Sequence, residues 1–487
     1  MRPCLLQLDA GREPRRGERG SVLVIVLWVA FGLVSLALYF AQTTNFELRA
    51  ADHRLAALEA GQAIAGAARY VSNILASVEE PGMLPDPLTY EAEAVPVGDA
   101  TFWLLGRDPQ TMLSDQPVFA LDDEAARLNL NTATAAMLEL LPYMTPELAA
   151  AIVDWRDTDS DVSEAGAEDE TYQMLNPPYR CKNGPFESVD ELRLVVGADL
   201  ELLLGEDTNR NGVLDPNEND GDESPPSDNR DGRMDPGILD LLTVSTREPN
   251  TGSDGSARVS VDGSAQTELA TLLQGAFGTE RANQILAAVG VPGGGGGGGP
   301  PGGGQPGGGG GSTATGIRSV LEFYLRSGMT EDEFMQVETG LTATTNQFAA
   351  GLVNVNTASE AVLACIPGIG IEKAPAVVGF RQANAASLGS MAWVKGVLEE
   401  AEAILAGPYL TGRSYQYAAD IAAVGRYGRG YQRVRLIFDI SEGTPRISSR
   451  QDLSHLGWAL GQDVREEFLL NRRAGTVAFG SARGLAR

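Results

Sequence analysis

The stretch DTNRNGVLDPNE, residues 207–218, has the composition and spacing of a calcium loop. Oxygen donors fall at loop positions 1, 3, 5, 9 and 12 as Asp207, Asn209, Asn211, Asp215 and Glu218, and the Val213 carbonyl is available at position 7. Gly212 takes position 6, where the sharp turn that gathers hard oxygens around the ion requires a permissive backbone. Three carboxylates and two amides suit moderate affinity. A weaker second candidate is SDNRDGRMD, residues 227–235. Asn229, Asp231 and Asp235 match positions 3, 5 and 9 around Gly232, but Ser227 stands at position 1 and Ile238 at position 12. Asp220, Asp222 and Asp228 are available for sharing between the two loops. Pro216 and the lack of clear flanking helices predict an isolated calcium loop, not a paired sensor. Calcium is the expected cofactor. With two histidines, His53 and His455, no Ser/His/Asp or Cys/His constellation can be assembled, so no catalytic residue is nominated and a calcium-dependent hydrolase has little support.

The chain that must hold these loops has 487 residues, 43% of them apolar, enough for two to four cores. Lys and Arg total 37 against 65 Asp and Glu, a net charge of -28 that repels phosphate backbones and disfavours nucleic acid as a partner. Three cysteines provide no disulfide framework; Cys181 and Cys365 are read either as a pair or as two buried thiols.

Near the N-terminus, RRGERG is followed by an uncharged apolar run from Val22 to Ala41, long enough to span about 30 Å of hydrocarbon. Beyond it, Ala60, Ile64, Ala67, Val71, Ile74 and Val78 recur at helical spacing, and no proline intervenes between Ser21 and Pro81. One helix of up to about 60 residues is predicted, roughly 90 Å long, spanning the membrane over 21–41 and packing its second half on a folded domain. The arginines before Ser21 predict a cytoplasmic N-terminus. An uncleaved signal anchor is the plainer reading of the same residues.

This N-terminus resembles that of type IV pilins and pseudopilins, a likeness that implies prepilin peptidase cleavage after Gly20, a new, methylated N-terminus at Ser21, and retention of the apolar helix. Most of that family has glutamate at the fifth mature position; here that position is Ile25, a departure that points to the K-type minor pseudopilins of type II secretion. The resemblance to that family continues in DEAARLNLNTATAAMLELLP (123–142), IVDWRDTDSD (152–161), AEDETY (167–172) and PFESVDELRLVVG (185–197).

The entrance motif repeats: ARLNLNTATAAMLELLP at 126–142, ARVSVDGSAQTELATLL at 257–273 and GLVNVNTASEAVLACIP at 351–367, each followed by a turn and a second helix. Asn131-Thr132 is placed at a helix N-cap. The middle copy, with Asp262-Gly263 for Asn-Thr, is expected to be an extra or degenerate unit. The third contains IPGIGIEKA (366–374), a helix-hairpin-helix pattern whose turn N–H groups can face a phosphate. Only Lys373 and Arg381 lie nearby as cations, which favours a structural hairpin over DNA contact. From Tyr415 the pattern turns to strands, with Val434, Leu436, Phe438 and Ile440 pointing to a core and the alternating charged residues to solvent.

The expected fold is therefore α+β: a pilin-like long helix on an antiparallel sheet, with a large inserted all-α region of helix-hairpin-helix (SAM-like) modules. Its segments are a leader (1–20), the long helix (21–80), the first part of the sheet domain (81–125), module 1 with the calcium loop (126–245), module 2 (246–290), a Gly/Pro-rich linker (291–313), module 3 (314–410) and the closing strands (411–487). The resemblance implies a non-enzymatic minor pseudopilin anchored in the inner membrane with a periplasmic head. It further implies that the bulky head caps the pseudopilus tip, with I- and J-type minor pseudopilins, the major pseudopilin and prepilin peptidase as partners. A terminal subunit has no preceding amine for the missing acid at Ile25 to pair with. The rival reading is a membrane-anchored helix-hairpin-helix DNA-binding protein of competence type.

Overall fold

A computed structural model describes residues 21–78, 80–108, 116–224, 227–252, 255–290, 316–385 and 388–474. Gly20 with the leader, and the 291–313 linker, lie outside the described residues. The first element is a helix, Ser21–Ala76, ending before Pro81 as the sequence predicts. From Val22 onward it is long and apolar enough to cross a membrane, and its apolar side chains from Val22 to Phe40 are exposed. The chain divides by its contacts within this helix, into one unit up to Ala56 and a second from Ala57. Ser21 and Ile25 belong to the first unit, where Ile25 is exposed.

In the second unit the helix presents Ala60, Ala63, Ile64, Ala67, Val71 and Leu75, a stripe of mostly small residues at helical spacing, to one face of an antiparallel sheet. The strand order is Val95–Val97, Ala100–Gly106, Gln416–Gly425, Arg429–Asp439, Arg446–Asp452, so the second strand pairs with one over 300 residues later. Register places Phe102, Leu104, Ile421, Val434, Leu436 and Phe438 on the helix face. Each fully buried Leu, Ile, Val or Phe there contributes about 1.5–3 kcal/mol. The helix is also tied by Glu59, whose two oxygens accept from Arg426 Nε at 2.7 and 2.9 Å.

The opposite sheet face corrects the sequence reading. Arg433 is completely buried and Arg435 nearly so, because this face is covered by the insertion and the C-terminal segment. Trp103, Leu105, Ala422 and Val424 pack there against Ala459, Leu460 and Val464. The charges between them pair in place of hydration: Arg433 with Asp420, Arg435 and Arg127 with Glu124, and Arg107 and Arg210 with Asp240.

Everything between the two halves of the sheet is the insertion. Each entrance motif forms a two-residue strand that pairs in parallel with a strand closing the same copy: Leu128–Asn129 with Leu242–Thr243, Val259–Ser260 with Leu341–Thr342, and Val353–Asn354 with Leu410–Thr411. The middle copy therefore closes beyond the glycine-rich stretch. Its helices include Val320–Ser327 and Glu331–Val337, and Arg281 holds Glu333 through two 2.8 Å contacts. The boundaries expected at 290 and 314 do not coincide with this pairing.

The entrance asparagines also act differently from the N-cap expected at Asn131-Thr132. Thr134 caps the helix Ala135–Leu138, while Asn131 brackets Phe186, accepting from its N–H at 2.7 Å and donating to its carbonyl at 3.0 Å. Asn356 does the same job in the third copy, donating to the Leu388 and Gly412 carbonyls and accepting from Trp393. These asparagines tie a module's entrance to its exit.

In the hairpin turn, Gly368 has φ +87° and lies directly beneath the Glu402 carbonyl and Ala406 N–H of helix Glu400–Ala406. The turn is packed within its module. Gly368→Ala combines a strained φ with a backbone clash and is expected to cost roughly 1–3 kcal/mol, read as a lowered urea midpoint; an unchanged midpoint would show that helix Glu400–Ala406 can move aside. Both nearby cations are engaged: Lys373 pairs with Glu402 at 3.2 Å, and buried Arg381 donates to the Val355 and Ala358 carbonyls at 3.0 and 2.7 Å. Cys181 and Cys365 are separate buried thiols.

Candidate metal centre

The 207–218 loop follows the short helix Leu200–Leu204 and ends in a single turn, Pro216–Glu218. Arg210 at φ +55° and Gly212 at φ +75° bend the chain so that Asp207, Asn209, Asn211, Asp215 and Glu218 converge, all buried. Asp207 accepts from the N–H groups of Asn211 (2.9 Å) and Gly212 (2.7 Å). Asn211 accepts from Val213 N–H at 2.7 Å, and Glu218 accepts from Asp215 N–H at 3.1 Å. Asn209 donates its amide to Asp215 at 2.7 Å and to the Trp458 carbonyl at 3.2 Å, which leaves its buried Oδ1 without a hydrogen-bond donor.

Among the described residues, none of the three loop carboxylates is in an ion pair. Burial raises the pKa of Asp207, with the Asp240 charge adding to it and Arg107 opposing. Burial, reinforced by Asp207, pushes Glu218 up to about 7. Three buried carboxylates, two of them raised in this way, beside an orphaned amide oxygen fit a hard divalent cation. Asp207, Asn209, Asn211, Asp215, Glu218 and the Val213 carbonyl would hold it.

The second loop repeats the first in backbone and in hydrogen bonds. Arg230 (φ +53°) and Gly232 (φ +76°) mirror Arg210 and Gly212. Asn229 donates to Asp235 at 3.1 Å, and Asp231 accepts from Arg233 N–H at 2.8 Å. Its twelfth position is Ile238, a core residue, but the role Glu218 plays in the first loop is taken by Glu206, which accepts from the Asn229 and Asp235 N–H groups at 3.4 and 2.9 Å. The bridge between Gly205 and Pro236 brings Glu206 there, so the first loop is not isolated but lies beside a second. Asp228 is spent on the Asp220 and Gly221 N–H groups, and Asp220 on Ser224. The second loop is the more open of the two, with Ser227, Asn229 and Asp231 exposed.

A third acidic group was quoted in the sequence only as part of a family motif. Carboxylate oxygens of Asp157, Asp159 and Glu168 lie within 4.8 Å of one another, beside buried Asp154. Oxygens of Asp154, Asp157, Glu168 and Asn183 there are buried without donors. Burial raises the pKa of Asp157 and Glu168, and the neighbouring carboxylates add to it. The D-x-x-D-x-D spacing at 154–159 was the available signal; Glu168 and Asn183 join it only through the fold.

An apolar N-terminal helix running onto an antiparallel sheet, split by a mainly helical insertion with short strand pairs and acidic clusters, defines a pilin-like α+β subunit. Residues 119–204, which contain the third acidic group, match the family model for the type II secretion system protein K. Similar proteins include type II secretion system protein K of Aeromonas hydrophila, 28% identical over 202 residues (38% of this chain, 61% of that protein). That of Klebsiella pneumoniae is 38% identical over 85 residues (17% and 26%). The chain spans less than two thirds of the length of these relatives. Among solved structures, the complex of GspK, GspI and GspJ from enterotoxigenic Escherichia coli aligns over 86% of this chain and 98% of the other, at 12% identity and a TM-score of 0.30.

Proposed function

We propose that this protein is a minor pseudopilin of a type II secretion system, held in the inner membrane by residues 21–41 with its N-terminus cytoplasmic and its head periplasmic. The observation that carries this reading is the protein K domain lying within an insertion between strands of a helix-backed sheet. Cleavage between Gly20 and Ser21 leaves an apolar helix as membrane span and fibre core. Intact mass and N-terminal sequencing of the membrane form should therefore find Ser21 first; a chain starting at Met1 or after Ala41 would end the pilin reading.

A three-module insertion that enlarges the head suits a cap at the pseudopilus tip contacting I- and J-type subunits. Ile25 suits that position, since an unpaired carboxylate in the bilayer would cost about 2.5–3.5 kcal/mol. If a deletion strain secretes normally and builds pseudopili of unaltered length, the tip role is wrong. Calcium is the proposed resident ion, in the 207–218 loop and at the Asp157, Asp159 and Glu168 group, with the second loop completed by Glu206. The role is structural.

A further inference from the structure

The 207–218 loop is seated on the sheet face that the alternating pattern assigned to solvent. Arg433, on strand Arg429–Asp439, donates to the Arg210 carbonyl at 2.6 Å and also to the Asn209 carbonyl. Arg107, just past strand Ala100–Gly106, donates to the same Arg210 carbonyl. On its other side the loop meets the C-terminal segment: Asn209 Nδ2 donates to the Trp458 carbonyl at 3.2 Å and Asn211 Nδ2 to the Ala459 carbonyl at 3.4 Å. Ala459, Leu460 and Val464 in turn pack on Trp103 and Leu105 of the sheet. One loop thus touches an early strand, a late strand and the lead into the last helix, Gly461–Ala474.

Asn209 and Asn211 face both ways. Their amide oxygens belong to the set that would surround an ion, and their amide nitrogens make the outward bonds to residues 458 and 459. An ion held by Oδ1 fixes each amide with its nitrogen outward. Each nitrogen also donates to Asp215, at 2.7 Å from Asn209 and 3.1 Å from Asn211, and a cation that draws Asp215 and both amide oxygens together would hold the amides more firmly than these bonds do alone. We infer that cation occupancy of the 207–218 loop fastens the helical insertion to the sheet and to the C-terminal segment 458–464. This rests on the calcium reading above. Linkage makes it reciprocal: whatever ion binding adds to the docking, the docking adds to ion affinity.

Hydrogen–deuterium exchange of the full chain in detergent, with calcium or with EGTA, tests it. Peptides covering 207–218 and 453–464 should both lose protection on chelation, by up to about 100-fold if calcium was held near 100 times its dissociation constant. The hairpin helix Gly370–Ala383 should not change. Loss confined to 207–218 would overturn the fastening and leave the calcium reading standing. Equilibrium dialysis finding no bound calcium would remove the calcium reading itself, and the inference with it. Asn209→Asp keeps a ligand oxygen but removes the donor to Trp458: calcium binding should persist while its effect on 453–464 shrinks. Full protection of 453–464 in that variant would count against the proposal.

Discussion

Arg433→Met should destabilise the protein by about 3–5 kcal/mol, the usual cost of removing one partner of a buried ion pair. Arg433 Nε and Nη2 lie 2.8 and 2.5 Å from the two Asp420 oxygens, on adjacent strands and wholly out of solvent. Methionine fills much of the volume but leaves the Asp420 carboxylate buried and deprives the Asn209 and Arg210 carbonyls of a shared donor. Urea unfolding of the full chain in detergent measures the loss. Adding Asp420→Leu should restore part of it, since the stranded charge is then gone. A loss below about 1 kcal/mol for the single variant would mean that water reaches this face and solvates Asp420.

Asp207→Ala should remove one bound calcium per chain and, with it, the stabilisation that ion supplies. For calcium at about 100 times its dissociation constant that stabilisation is about 2.7 kcal/mol. Asp207 contributes a carboxylate at the first loop position and also accepts the Asn211 and Gly212 N–H groups that shape the turn. Equilibrium dialysis gives the stoichiometry, and the calcium-dependent shift of the unfolding midpoint gives the energy. Glu168→Gln should remove a different ion, without altering the 207–218 loop. Equal stoichiometry in wild type and Asp207→Ala would show that this loop does not hold calcium.

Much of the architecture was legible because it is written locally. The proline-free run from Ser21 gives the helix, and the alternation of Val434, Leu436 and Phe438 gives a core strand, because each periodicity reflects backbone geometry alone. The candidate 207–218 loop could be named for the same reason, its oxygen donors being spaced within twelve residues. Period-two alternation separates the faces of a strand but cannot say whether the second is covered, so Arg433 and Arg435 read as solvated when they are buried and paired.

By itself, then, the sequence determined the membrane-length helix, the long central strands and the three repeated entrances, and it offered one set of candidate cation donors. Only the tertiary structure decided where each repeat closes, since two-residue strands carry no pattern. It alone brought Glu206 to the second loop and Glu168 and Asn183 to Asp154, Asp157 and Asp159. The Gly205–Pro236 bridge places Glu206, while the loops carrying Glu168 and Asn183 fold back on the end of helix Pro146–Arg156, and no local spacing rule records either return.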